Sequence, residues 1–266
     1  MIKGLYTAHT GMVNEMNRLD ILTNNLANAD TTAYKKEGTT SRTFADELAI
    51  KIKDTSHYGL PQRLGEISLV THLGQVYTDY SSGSIEVTDN ETDFAIDGDG
   101  FFAVAFTDKQ GNTSVKYTRD GDFTVSTDGF LMTKDGDRVL NATGALNQDP
   151  NAANFIQIDP RVPFTVDEMG YIYQNEQLVG TLGVVNFENY DYIEKYGENL
   201  YNLVEGGVIT ASDASVRQGM LETSNVNVVD EMVNMIAIQR AYEAGQKVIR
   251  SVDETLATTV KLGAVK

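Results

Sequence analysis

Few residues in this chain have the types and spacing that chemistry needs. Asp97-Gly98-Asp99-Gly100 has the opening spacing of a calcium loop. The EF-hand pattern then fails, because the fifth position is Phe101 and no glycine follows it. A hairpin turn is the better account of this tetrapeptide. It is not a dinucleotide fingerprint either, since no helical pattern follows. The three histidines, His9, His57 and His72, have no metal-ligand spacing, which leaves them polar or interface roles. No serine sits in a Gly-x-Ser-x-Gly setting. The 38 acidic residues leave a paired-carboxylate hydrolase open, but no apolar pocket signal singles any of them out. The sequence thus predicts no catalytic residue, no metal ligand and no cofactor.

The composition narrows the class. The net charge is −17, which makes nucleic acid and anionic membranes poor partners. There is no cysteine, which removes disulfides, thiolate chemistry and zinc-finger sites. No run of eighteen apolar residues exists, so no insertion into a bilayer is expected. The N-terminus, Met1-Ile2-Lys3-Gly4-Leu5, lacks an apolar h-region and a small-residue cleavage site, so no cleaved signal peptide is expected. Four prolines against 23 glycines, many beside Asp or Asn, predict frequent tight turns.

The chain's strongest patterns lie at its two ends. Val228, Met235, Tyr242, Ile249 and Leu256 recur every seven residues, with Ile238 and Val252 between them. That is the seam of a helix packed on other helices. A second apolar row (Val229, Met232 or Val233, Ile236, Ala241, Val248) lies beside it, so this helix should touch more than one neighbour. It is predicted from Val228 to Leu262, roughly 50 Å long. Asn227 caps it, with Asp230 in the first turn, and Gly245 is its one internal weak point. Leu5, Met12, Leu19 and Leu26, with Ala8, Met16 and Leu22, give a matching helix over Lys3–Asn28. The Asn24-Asn25-Leu26-Ala27-Asn28 stretch reads as a helix end and turn, or as an interface segment, since Asn amides both donate and accept.

Between the ends the period changes. Ser41–Lys53 is predicted as a short helix carrying Phe44, Leu48 and Ile52. His57–Ser82 reads as extended and irregular. From Gly83 to about Ser215 the period is two, punctuated by Asp-Gly pairs, which predicts a sandwich or barrel of short strands. Two of those strands are Phe101–Phe106 and Phe155–Ile158. The expected fold is α+β. Terminal helices from residues 1–34 and 224–266 form a discontinuous, coiled-coil-like core domain. Residues 35–83 are an extended linker or interface segment, and 84–223 an inserted all-β outer domain.

Mutual pairing of the two helices would bury one stripe each and leave the second row exposed, a mark of protein–protein contact. Identical copies joined head to tail without closure give a helical filament. The physical reading is therefore a self-assembling tubular protein with helices inside and the β domain outside. The expected self-assembly interface is Leu5, Met12, Leu19, Leu26, Asn24, Asn25, Asn28, Met235, Ile238, Tyr242, Ile249, Val252 and Leu256. Two alternatives come from other classes: a hydrolase of cell-wall glycans, and a carbohydrate- or calcium-binding β module with helical stalks.

Three segments carry a family resemblance. Ser224–Ile236 followed by Gln239-Arg240-Ala241-Tyr242-Glu243 resembles the C-terminal signature of bacterial flagellar rod and hook proteins. Asn24–Asn28 with Thr31-Thr32-Ala33-Tyr34-Lys35 resembles their N-terminal signature. Asp93–Phe102 and Tyr117–Phe123 are similar to their β domain. Where many members have glycine after Thr-Thr, this chain has Ala33. The resemblance implies a basal-body rod subunit, of distal more than proximal type, with a hook-type axial protein as the alternative. It implies export through the flagellar type III apparatus without a cleaved signal. The partners it implies are further copies, other rod and hook proteins and the export apparatus, in a tube that transmits torque and encloses the export channel.

Overall fold

A computed structural model describes residues 2–43, 47–51, 62–67, 71–197 and 199–263. The chain divides into two compact units. Unit 1 holds residues 1–27, 36–79 and 227–266; unit 2 holds 28–35 and 80–226.

Unit 1 is built on two helices, α1 (Ile2–Ala27) and, at the other end of the chain, α3 (Val228–Gly263). Both agree with the heptad reading to within a residue or so at each end. Asn227 caps α3: its Oδ1 accepts from the backbone N–H of Val229 at 3.1 Å and of Asp230 at 3.4 Å. Asp230 and Glu231 in the first turn complement the exposed N–H groups and the helix dipole.

The other described residues of unit 1 are mainly in β-strands, which corrects two expectations. The helix expected over 41–53 is replaced by strands Glu37–Thr43 and Glu47–Lys51, while Phe44 and Ile52 lie outside the described residues. The irregular segment expected over 57–82 contains strands Gln62–Ile67 and Thr71–Thr78, and His57 too lies outside the described residues. Glu37–Thr43 pairs antiparallel with Thr71–Thr78, and Glu47–Lys51 with Gln62–Ile67. Threonine-rich ladders satisfy the backbone by pairing, and that outweighs a weak 3.6-residue spacing of three apolar side chains. The ribbon residues Thr40–Thr43 and Gly74–Tyr77 are exposed. With no face of that stretch buried, no apolar alternation marks it as strand. Asn25 ties the ribbon to α1: its Nδ2 donates to the Glu37 carbonyl and its Oδ1 accepts from the Glu37 N–H, both at 2.9 Å.

Unit 2 is mainly β. Its largest sheet has nine strands, centred on Phe101–Thr107, which pairs with Thr113–Thr118, Arg138–Val139 and Val184–Phe187. Along that central strand both faces are buried. Phe102 and Val104 point into one hydrophobic cluster with Phe94, Phe123, Leu131 and Ile172. Phe101, Ala103 and Ala105 point into a second with Tyr117, Val185, Phe187 and Tyr201. The period of two therefore divides apolar residues between two cores instead of between core and water.

Unit 2 departs from an all-β domain. It contains the short helix α2 (Ala142–Asn147), whose Gly144 N–H donates to the Asn141 side chain at 2.8 Å. The strand expected at Phe155–Ile158 makes only isolated bridges, Phe130 with Gln157 and Leu140 with Phe155. The hairpin expected at Asp97–Gly100 is a crossover: Phe94–Asp97 pairs with Ser215–Gln218, not with the strand that follows it. The turn is real, with Gly98 at φ +123°, but it passes the chain between sheets.

Candidate assembly surface

In unit 1, α1 and α3 pack along each other. The larger part of each seam is thereby covered within one chain, as mutual pairing of the two helices would have it. Gly245 explains the closeness. A Cβ there would lie 2.6 Å from Met12 Cγ, so the missing side chain is the space into which Met12 packs. The apparent weak point of α3 is a point of contact with α1. Leu5, Met12, Leu19, Leu26, Met235, Tyr242, Ile249 and Val252 are all half-buried, and Ile238 is buried. Asn25 is buried and engaged with Glu37; Asn28 is half-buried and Asn24 exposed.

The helices differ in length. The 26 residues of α1 and 36 of α3 span about 39 and 54 Å. Met12 and Gly245 face each other, and α1 runs out opposite the region of Asp253. Every described residue from Asp253 to Gly263 is exposed. Leu256 continues the seven-residue series of Met235, Tyr242 and Ile249, and Val260 follows one turn later, yet they are 46% and 70% exposed. The seam thus continues past the end of its partner. A separate row, Val229, Met232, Val233 and Ile236, has i, i+3, i+4, i+7 spacing and is also exposed.

Unit 2 contains a cluster that sequence reasoning missed. Glu222 is buried, and its Oε1 accepts from Lys35 Nζ at 2.6 Å and from the Gly83 N–H at 2.8 Å. Its Oε2 accepts from Arg119 Nη1 at 3.2 Å. Lys35 and Arg119 are buried too. Lys35 also donates to the Ser81 carbonyl at 2.7 Å, and Arg119 Nη2 to the Gly98 carbonyl at 2.9 Å. Lys35 comes from the Thr-Thr-Ala-Tyr-Lys segment and Arg119 from Tyr117–Phe123, while Glu222 precedes Ser224–Ile236. Segments far apart in sequence meet at one carboxylate. The available signal was the presence of a charge inside each otherwise uncharged or turn-forming segment, which gives no partner.

Beside this cluster, burial lifts the Asp120 carboxyl above the usual range, opposed by hydrogen bonds from Thr32 and Asn199. Burial pushes the Tyr117 hydroxyl up to about 12, and that hydroxyl has no protein hydrogen-bond partner. Burial lowers Lys116, whose Nζ donates to Asn202 at 2.7 Å. Each is explained by packing inside the β unit. A surface depression of about 440 Å³ is lined by Thr107, Thr113, Arg138, Asn151 and Phe155 among others, with no acid or histidine in its wall. Among the described residues no three His, Asp or Glu side chains come together to hold a metal ion, and no helix is long and apolar enough to cross a membrane.

Comparison with known proteins finds family matches over three segments of the chain. Residues 5–35 match the family description "Flagella basal body rod protein". Residues 95–174 match "Flagellar hook protein FlgE/F/G D1 domain", and 217–262 match "Flagellar basal body rod FlgEFG protein C-terminal". Among full-length relatives, the flagellar basal-body rod protein FlgG of Bacillus subtilis (strain 168) is 33% identical over 275 residues, covering 98% of this chain and 99% of the relative. The flagellar basal-body rod protein FlgF of Caulobacter vibrioides is 34% identical over 268 residues, covering 100% of both. These two names match at the same level, so the preference for a distal over a proximal type gains nothing from them. With relatives this similar over its whole length, the chain belongs to the flagellar basal-body rod protein family, a family of structural proteins and not of enzymes.

Proposed function

We propose that this chain is a rod subunit that polymerises head to tail into a helical tube, with unit 1 as the inner layer and unit 2 outside. The observation that carries the reading is the pair of unlike apolar surfaces on α3. One is the overhanging seam of Leu256 and Val260, and the other is the row of Val229, Met232, Val233 and Ile236. Two different patches make a heterologous contact, which propagates into an open helix instead of closing as a dimer. The seam residues Leu5, Met12, Leu19, Leu26, Met235, Ile238, Tyr242, Ile249 and Val252 then act by holding α1 and α3 as one coiled-coil-like block. Asn24, Asn28 and the overhang meet neighbouring copies. Other axial proteins of the rod and hook dock end to end by the same surfaces. The subunit reaches its place in the basal body through the flagellar export apparatus, without a cleaved signal and without inserting in a membrane.

The test is polymerisation. Val233→Asp and Leu256→Asp change exposed positions, so each should shift monomer stability by no more than about 0.5 kcal/mol. Each should abolish growth of rods seen by electron microscopy. Normal rods from both variants would sink the proposal.

A further inference from the structure

The chain passes between its two units at four points, after residues 27, 35, 79 and 226. Just inside unit 2, all four passages are fastened to the Glu222 cluster or to the residue beside it. The passage ending at Lys35 is held by Glu222 Oε1 and the Ser81 carbonyl. The passage after residue 79 is held at Gly83 by Glu222 and at Ser82 by Arg119 Nη1, 3.4 Å away. The passage ending at residue 226 contains Glu222 itself, and Asn225 donates from its N–H to the Tyr34 carbonyl at 3.3 Å and from its side chain to the Ser81 carbonyl at 3.1 Å. The passage beginning at Asn28 is held through Thr32, whose hydroxyl donates to Asp120 Oδ1 at 2.9 Å.

Burying three charged side chains is expensive, and apolar packing often serves stability as well or better. Unit 2 already has two apolar cores. What the charges add is direction. A carboxylate accepting from a lysine, an arginine and a backbone amide fixes four groups in one geometry.

We propose that Glu222 is a positioning residue that, with Lys35 and Arg119, holds the chain ends of unit 2 in a single register. This rests on the rod-subunit reading, in which those chain ends are where the β unit continues into the segments of unit 1.

Hydrogen exchange in the purified full-length monomer tests it. The amides that report are Gly83, bonded to the Glu222 carboxylate, Ala33, bonded to the Glu222 carbonyl, and Asn225, bonded to the Tyr34 carbonyl. The reference is Ala103 in the central strand, bonded to the Gly183 carbonyl. Glu222→Gln keeps the shape and removes the charge. Lys35→Met removes one cation and leaves the Glu222–Arg119 pair, so it serves if Glu222→Gln does not fold. Exchange at the three amides is expected to rise at least about tenfold, with Ala103 changed less than about twofold. Unchanged protection at the three amides would overturn the inference. So would acceleration of Ala103 in step with them, since that is ordinary loss of stability. Exchange in the monomer does not depend on polymerisation, so a chain that never forms rods would count against the proposed function and leave this measurement standing.

Discussion

The two units solve opposite problems. Unit 2 has 25 of the 38 acidic residues and 9 of the 21 basic ones, a net of −16; unit 1 has the remaining 13 and 12, a net of −1. Nine of the ten phenylalanines are in unit 2, and Phe101 and Phe102 of its central strand sit in cores that are closed within the chain. Unit 1 has paired helices whose seam is covered over most of its length, and an exposed second row on α3. A nearly neutral, apolar surface favours contact between copies, whereas sixteen negative charges repel them. The distribution is in keeping with the proposal that identical molecules meet through unit 1. It also says that unit 2 should respond to core mutations like an independent domain, and unit 1 like one side of an interface.

The largest effect expected from that contrast is in unit 2. Phe101 packs on Phe187 and Tyr201 at ring-centre separations of 5.5 and 5.4 Å, and Arg119 lies over its face at 5.3 Å. Phe101→Ala should destabilise unit 2 by about 3–5 kcal/mol. Denaturant melting followed by tyrosine fluorescence should show that loss, while far-UV helical signal persists. Loss of the helical signal in the same transition would mean that the two units are not separable.

Alkaline stability should follow, again from unit 2 alone. The Tyr117 hydroxyl titrates near 10 in an unfolded chain and at about 12 in the fold. Between those values the unfolded state has lost the proton and the folded state keeps it, so stability falls as pH rises from about 10 toward 12. The full loss is on the order of 3 kcal/mol. Tyr117→Phe should remove most of this dependence, leaving the share from Tyr190, whose hydroxyl burial also pushes up. It should leave stability at pH 7 equal or higher, because the hydroxyl makes no protein hydrogen bond. Melting curves of both proteins at pH 8, 10 and 11.5 check the sign.

In unit 1 the test is steric. Gly245→Leu pushes a side chain into the space of Met12 and should cost about 1–3 kcal/mol by overpacking. Rods should fail to grow at protein concentrations where the parent polymerises, and the β unit should melt as before. Normal assembly would mean that the pairing of α1 with α3 is not part of the assembling block.

How much of this could be read in advance follows the same division. The terminal helices were legible because a buried seam writes a heptad into the sequence, and Gly245 was noticed although its purpose was not. The central β strands were legible through alternation. The paired strands Glu37–Thr43 and Thr71–Thr78 were not, since exposed stretches such as 40–43 and 74–77 leave no apolar pattern. The Glu222 cluster was hidden for a different reason. Lys35, Arg119 and Glu222 lie 84 and 103 positions apart in succession, and no local rule pairs charges across such distances.

The smallest effect expected is at Ala33, where this chain departs from the glycine that the family resemblance leads one to expect. Ala33 has φ +54°, a left-handed conformation that costs an L-residue about 1–2 kcal/mol. Ala33→Gly relieves that strain. It also frees the unfolded chain, which costs about 0.4–1 kcal/mol, and deletes the methyl of a residue that is 3% exposed, worth about 0.8 kcal/mol. The three contributions nearly cancel, so the net change should stay within about 0.5 kcal/mol, and the Ala33 amide should keep its 2.8 Å bond to the Glu222 carbonyl. That near-cancellation explains how alanine is tolerated in a glycine conformation beside the cluster that fastens the chain passages. A stabilisation above about 1 kcal/mol in the melting of Ala33→Gly would mean that the turn is held under strain by its bond to Glu222.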